Sequence, residues 1–361
     1  MMRALVFALS LSLPLYAAQT PQIEKVATDL DFPWSVAFLP DGGFLVTERT
    51  GQLVHLSAQG GLLSRVQVEL PNLFVAAQGG LLDIHLAADF AQTGKLFLSY
   101  ACGKLQANST CLASAIWSEQ GLSTIRPIFH AQPDRQGAAH YGGRIALLPD
   151  NSLLLTLGDG FDYREQAQDK ANHLGKIVRL TEDGKAPPDN PFFGQSGIAP
   201  ELFTLGHRNV QGIVFDAVTQ QVFSHEHGPR GGDELNLLQA GVNYGWPVAT
   251  YGIDYTGARI SPFTEYAGMQ APLYVWTPSI APAGMAIYRG NLFEGWQGSI
   301  LVSALAGKAL HRLTMENGRV AAEEVLLKEQ GSRFRDVRTG PDGAIYLLTD
   351  GPNGQLLRLT P

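Results

Sequence analysis

A histidine in a glycine-rich loop, with a carboxylate at the end of the next strand-like run, is the first place in this chain where residue types could do chemistry. His140 stands in Ala139-His140-Tyr141-Gly142-Gly143-Arg144, and Asp159 sits in Gly158-Asp159-Gly160. A carboxylate that fixes a histidine's tautomer and stabilises its imidazolium makes that histidine a general base. Spacing along a chain does not establish contact, and taken alone His140 reads as an ordinary loop histidine.

A second concentration lies between Pro200 and Pro247. It holds Gly206-His207-Arg208-Asn209, the run His225-Glu226-His227, the turn Gly228-Pro229-Arg230-Gly231-Gly232, the acidic pair Asp233-Glu234, and Asn243-Tyr244-Gly245-Trp246. Turn chemistry in a large β protein would explain the glycines but not Arg208 and Asn209 together. Carboxylates and loop carbonyls are the hard oxygen ligands that calcium uses; a solvated acidic pair capping Glu234 to Leu238 fits Asp233-Glu234 equally well. On a strand His225 and His227 share a face, which admits two ligands of a zinc site, but no third ligand is evident nearby and a core or pocket-wall role is the plainer reading. Near the C-terminus Arg333 and Arg335 fall on one face of an extended segment. Two guanidinium groups aimed the same way suit a ligand with several carboxylates, although surface arginines on an edge would read the same.

Positioning these groups falls to short β-type runs separated by Gly, Pro, Asp and Asn clusters, with almost no amphipathic helical period. One phrase recurs: an acidic turn, then an apolar strand. It is clearest at Leu39-Pro40-Asp41-Gly42-Gly43-Phe44, Leu148-Pro149-Asp150-Asn151-Ser152-Leu153 and Gly340-Pro341-Asp342-Gly343-Ala344-Ile345. Weaker copies start at Ala88-Asp89-Phe90, Phe215-Asp216 and Phe293-Glu294, making six. Most copies are followed by a second strand, such as Gly51 to Leu56, Gly175 to Leu180 and Gly354 to Leu359. Hairpins repeated at long intervals predict an all-β, six-bladed β-propeller; a β-sandwich would not need six copies of one phrase. The strand Ile23 to Leu30 has no blade of its own, and the prediction is that it closes the ring beside Leu356 to Thr360.

Met1 to Ala18, with Arg3, an apolar run and small residues at its end, reads as a secretory signal peptide ahead of a single propeller domain over residues 19–361. Export makes a disulfide the expected state of Cys102 and Cys111, the only cysteines, against two free buried thiols. Closing so short a loop contributes about 2–3 kcal/mol on the chain-entropy model. A formal net charge of −7 and a pI near 5.7 give no attraction to nucleic acid or anionic lipid, and no further segment is apolar for long enough to span a membrane.

Taken together, Gly206 to Asn209, Glu226 to Pro229, Gly232 to Asn236, Asn243 to Pro247, and Arg333 to Val337 with the following Gly340 to Gly343 resemble the soluble, pyrroloquinoline-quinone-dependent aldose sugar dehydrogenases of the glucose/sorbosone dehydrogenase family. The resemblance runs from about Leu30 to the C-terminus. It implies a six-bladed propeller, with pyrroloquinoline quinone and calcium as cofactors. It also implies a periplasmic or secreted enzyme that oxidises an aldose at C1 to the lactone and passes electrons to an unidentified acceptor. His140 then corresponds to the base, Asp159 to its orienting carboxylate, and Arg208 and Asn209 to residues on the quinone oxygens, Arg208 stabilising negative charge during reduction. Gln78 corresponds to a pocket residue, Arg333 and Arg335 to carboxylate clamps, the carbonyls of Gly228 and Pro229 to ligands of the catalytic calcium, and Glu234 with the Tyr244 carbonyl to a second calcium site.

Two departures stand out. A lysine that binds the cofactor in some relatives falls near Ala306, where this chain offers only Lys308, and Ala139 replaces an aspartate of glucose-specific relatives, favouring the broader aldose branch. The rival readings are a calcium-dependent propeller lactonase, which has no use for Arg333 and Arg335, and a non-catalytic binding propeller, which has no use for His140, Asp159 and Arg208.

Overall fold

Each copy of the repeated phrase is a joint between two strands, and its acidic residue shows why. Asp41 Oδ1 accepts the amide of Gly43 at 2.9 Å, Asp150 Oδ1 that of Ser152 at 3.0 Å, and Asp342 Oδ1 that of Ala344 at 3.1 Å. The aspartate bonds its own backbone two residues on and so turns the chain from the first strand of a sheet into the second. The computed structural model describes residues 21–361, so the expected signal peptide lies outside the described residues.

Six four-stranded sheets form, as the repeat predicts. The blades begin with the strands Pro33–Phe38, Leu81–Leu86, Ile145–Leu147, Val210–Asp216, Pro282–Ile287 and Phe334–Thr339. The N-terminal strand Gln22–Leu30 is the fourth strand of the last blade, pairing antiparallel with Gly354–Thr360 in the register Gln22↔Thr360 and Ile23↔Leu359. Ring closure thus fastens the two ends of the propeller to each other. Cys102 and Cys111 are joined in a disulfide across the hairpin of Lys95–Lys104 and Ala107–Ser118.

Apolar side chains fill the wedges between blades. Leu45, Leu53, Leu81 and Leu98 pack between the first and second blades, and Phe334, Leu347, Leu301 and Leu310 between the last two. Because interior sheets are covered on both faces, their strands read as unbroken apolar runs such as Leu153–Thr156, all buried. Along the axis the innermost strands carry charge instead. Arg144 Nη1 donates to Asp336 at 2.9 Å, Arg338 bonds Asp336 at 3.0 Å and Asp83 at 3.1 Å, and the Arg144 guanidinium lies 4.0 Å over the Trp34 ring. Two arginines against two aspartates leave no unpaired buried charge, the condition under which such a network is tolerated. Arg144 also donates to the carbonyls of Gln211 and Arg335, tying three blades together beneath the pocket described next. Among the described residues no helix is long and apolar enough to cross a membrane.

Candidate active site

His140 and Asp159 meet. His140 Nδ1 lies 2.7 Å from Asp159 Oδ1, and both side chains are buried. Asp159 also accepts the backbone N–H of Phe161 at 2.8 Å and, on its other oxygen, the indole N–H of Trp246 at 2.9 Å. Burial alone would raise the Asp159 pKa, but the His140 bond and the nearby Arg208 charge outweigh it and hold it below the usual range. An ionised carboxylate can only accept, so Nδ1 carries the proton and Nε2 keeps its lone pair. That Nε2 has no hydrogen-bond partner among the described residues. Burial lowers the His140 pKa, opposed by the Asp159 bond, so the imidazole is neutral near pH 7 and competent as a base.

The backbone of His140 is held as firmly as its ring. Its φ of 52° is left-handed, a conformation costing about 1–3 kcal/mol for a residue of this type. Gln78 Oε1 accepts its amide at 2.8 Å and Arg135 donates to its carbonyl at 3.2 Å. Gly158 is there for room: a Cβ at that position would stand 2.0 Å from the His140 carbonyl oxygen. Gln78 thus fixes the His140 backbone and, as expected of it, also lines the pocket described next. Arg135 and Trp246 were not picked out by sequence reasoning; Trp246 lay inside a singled-out motif, whereas Arg135 carries no local signal.

Beside the base, over the channel plug, is a cavity of about 220 Å³ lined by Trp34, Gln78, Asn209, His227, Arg333 and Arg335, among others. Arg333 and Arg335 do share a face, and one carboxylate explains how they sit: Asp350 accepts Arg333 Nε at 2.9 Å and Arg335 at 3.3 Å. Burial pushes Arg335 down to about 10, with Asp350 opposing, which leaves it charged at neutral pH. Asn209 Oδ1 accepts the Gly142 amide at 3.1 Å and so ties its blade to the His140 loop. With more guanidinium than carboxylate, the pocket fits a ligand carrying several carboxylates.

Arg208 and the Gly228-Pro229 turn are also adjacent. Arg208 Nη1 donates to the carbonyls of Gly228 at 2.6 Å and His227 at 3.2 Å, so one of the two carbonyls expected to hold calcium is engaged by the guanidinium in this structure. The Pro229 carbonyl accepts only a long 3.4 Å contact from Ser279 Oγ among the described residues. Two carbonyls are hard donors but an incomplete set for a cation that takes six to eight oxygens, so calcium here fits only with further oxygens from ligand and water. The turn is shaped by Asp233, whose role is structural: it accepts the amides of Gly228, Ile280 and Ala281 at 2.8, 2.7 and 2.9 Å.

Glu234 differs from its neighbour. Burial, then the Glu226 charge, pushes its pKa well up, with a hydrogen bond from Asn236 opposing. Glu226 is its direct cross-strand partner. Glu226 is already engaged by His207 Nδ1 at 2.8 Å, so Glu234 is the carboxylate on this face available to a bound cation. The Tyr244 carbonyl accepts no hydrogen bond among the described residues, while its ring stacks on His207 at 4.9 Å.

The histidines flanking Glu226 are committed elsewhere. His225 Nε2 lies 3.2 Å from the Gly284 carbonyl and His227 Nε2 2.7 Å from that of Pro282. They are wall residues, as the plainer reading had it. Lys308 is exposed and absent from the pocket lining, to which its segment sends Leu305.

On the solvent side of His140 an open cavity of about 390 Å³ is lined by Phe161, Arg164, Arg208, Trp246, Asp254 and Tyr255, among others. Phe161 meets the His140 ring edge-on at 5.1 Å and stacks on Tyr255 at 6.3 Å. The loop after Asp159 thus supplies a rim. The neighbours of His140 line both cavities: Tyr141 and Gly142 the cationic one, and Phe161, edge-on to its ring, the open one.

The model of the family described as Glucose / Sorbosone dehydrogenase matches residues 30–358. The chain is 39% identical to the aldose sugar dehydrogenase YliI of Escherichia coli strain K12, over 99% of this chain and 98% of that one. Among solved structures it is similar to a crystal structure of a glucose dehydrogenase, with a TM-score of 0.90 and 42% identity over 94% of this chain and 99% of the other. It is also similar to the PQQ-bound form of an aldose sugar dehydrogenase from Streptomyces coelicolor, with a TM-score of 0.78 and 29% identity over 94% and 98%. The matched region takes in His140, Asp159, Arg333, Arg335 and the Gly228-Pro229 turn alike, and the chain belongs to the glucose/sorbosone dehydrogenase family.

Proposed function

We propose that this protein is an exported quinoprotein that oxidises aldose sugars at C1 to the lactone, using pyrroloquinoline quinone and calcium and delivering electrons to an acceptor still to be identified. The observation that carries this reading is the His140–Asp159 pair, with Nε2 unpartnered among the described residues, in a loop whose next residues line a polycationic cavity. When bound, the quinone supplies a two-electron hydride acceptor and calcium a Lewis acid. Arg333 and Arg335 would hold the quinone's carboxylates, and Arg208 and Asn209 its oxygens. The carbonyls of Gly228 and Pro229 would hold the catalytic calcium, and Glu234 with the Tyr244 carbonyl a second, structural one. His140 Nε2 takes the proton of the anomeric hydroxyl while Asp159 stabilises the imidazolium. Support comes from the PQQ-bound Streptomyces relative; the Cys102–Cys111 disulfide and the signal-like segment Met1 to Ala18 support export.

Two measurements test this. Protein loaded with quinone and calcium should reduce a dye with an aldose bearing a free anomeric hydroxyl and not with its methyl glycoside, which has no proton for His140 to take. Comparable turnover of both would refute attack at C1. The pH profile carries a sign. Only neutral His140 is active, and its pKa lies below the ordinary imidazole value of about 6.5. Rate should therefore persist as pH falls through 6.5 and decline only below it; an acid limb centred above that value is incompatible with His140 as base.

A further inference from the structure

The cationic cavity contains a guanidinium to which no role has been given. Arg49 follows the strand Phe44–Glu48 of the first blade and lines the same cavity as Arg333, Arg335 and Asp350. Those two arginines each pair with Asp350, but Arg49 makes no side-chain hydrogen bond or ion pair among the described residues. Its one contact of note is with the Phe32 ring, whose centroid is 4.6 Å from its central carbon. A ring face engages the flat side of a guanidinium and leaves the in-plane N–H groups without acceptors. Three cations then face a single carboxylate, an excess that a neutral ligand would not relieve.

Its backbone is built in rather than incidental. The Arg49 amide donates to Phe32 at 3.0 Å, its carbonyl accepts from Leu81 at 3.1 Å, and a Cβ at Gly80 would stand 1.9 Å from that carbonyl. The joint between the first two blades thus fixes where the side chain starts. Across the cavity, Leu305 occupies the lining where its segment could have sent Lys308.

We propose that Arg49 is a carboxylate-binding residue of the cofactor site: a third guanidinium that pairs with a carboxylate of the quinone and supplies the cationic contact that Lys308 does not. This rests on the functional reading above. It assigns one carboxylate contact to the first blade, beside the Arg333–Arg335 pair of the last, so that the ligand itself bridges the seam between them.

The test is a titration of pyrroloquinoline quinone into apoprotein with calcium present, followed by quinone absorbance and by the ligand-induced rise in thermal midpoint. Arg49→Gln should weaken binding roughly 10- to 100-fold, the loss of one charge-assisted hydrogen bond. Arg49→Lys, which keeps the charge, should recover most of that affinity, and Lys308→Gln should bind as the wild type does. An Arg49→Gln protein within twofold of wild type overturns the assignment, as does an Arg49→Lys protein as weak as the glutamine variant, since packing rather than charge would then be responsible. A wild-type protein that takes up no quinone overturns the functional reading as well, and is told apart from the first failure by the wild-type titration alone.

Discussion

Replacing His140 with alanine should lower turnover roughly 10²- to 10⁴-fold, the usual contribution of a positioned base, while leaving quinone and calcium affinity unchanged. The separation follows from geometry. His140 Nδ1 is committed to Asp159, its amide to Gln78 and its carbonyl to Arg135, and none of these contacts involves Arg333, Arg335 or the Gly228-Pro229 turn. Asp159 keeps two of its donors, Phe161 and Trp246, after the change. Because His140 is left-handed, His140→Asn serves as a second variant that tolerates that backbone better. Arg335→Ala should behave in the opposite way, with cofactor affinity weaker by about 1.5–3 kcal/mol and activity partly restored at high cofactor concentration. Undiminished sugar oxidation by His140→Ala would remove the base assignment.

The fold was legible because one mechanism writes the same phrase at several joints. An aspartate that bonds the amide two residues on leaves a readable mark at Asp41, Asp150 and Asp342, and the intervening strands, covered on both faces, must be apolar. Closure by Ile23 to Leu30 was legible for a related reason: a strand pattern with no partner in its own neighbourhood needs one elsewhere, and Gly354–Thr360 supplies it.

The site was legible only in part. Groups within one loop, such as Arg333 and Arg335, follow from strand periodicity. Contacts between blades do not, because nothing local records them. Asp350, which pairs both arginines, follows a different strand of the same blade, and Arg49 and Arg135 reach the site from other blades. Asp233 was visible but its role stayed open: an acidic pair after a glycine turn looks alike whether it binds metal, caps a segment or braces the turn, and only the donors gathered around it decide. The bulk of the catalytic arrangement is thus held by side chains whose partners are far away in sequence.

Asp233 gives the largest expected effect on stability. Its side chain is fully buried, and it accepts three backbone amides, those of Gly228, Ile280 and Ala281, together with the Ser279 hydroxyl at 3.0 Å. Asp233→Ala strips the acceptor from all four at once inside a dry wedge. Each orphaned donor costs about 1–3 kcal/mol, non-additively, so a loss of roughly 3–5 kcal/mol is expected. The thermal midpoint of the apoprotein should fall by about 4–7 °C. Function should suffer by a separate route, since the Gly228 amide is one residue from the Pro229 carbonyl and the Ala281 amide belongs to the lining of the cationic cavity. Calcium-dependent quinone uptake should therefore weaken even at temperatures where the variant is fully folded. Asp233→Asn keeps one accepting oxygen but turns an NH₂ toward donors, and should fall between wild type and alanine in both measurements. If Asp233→Ala lost less than about 1 kcal/mol and took up the quinone with unchanged calcium dependence, the turn would be held by something other than this carboxylate. In that case its carbonyls would lose their structural claim to the metal.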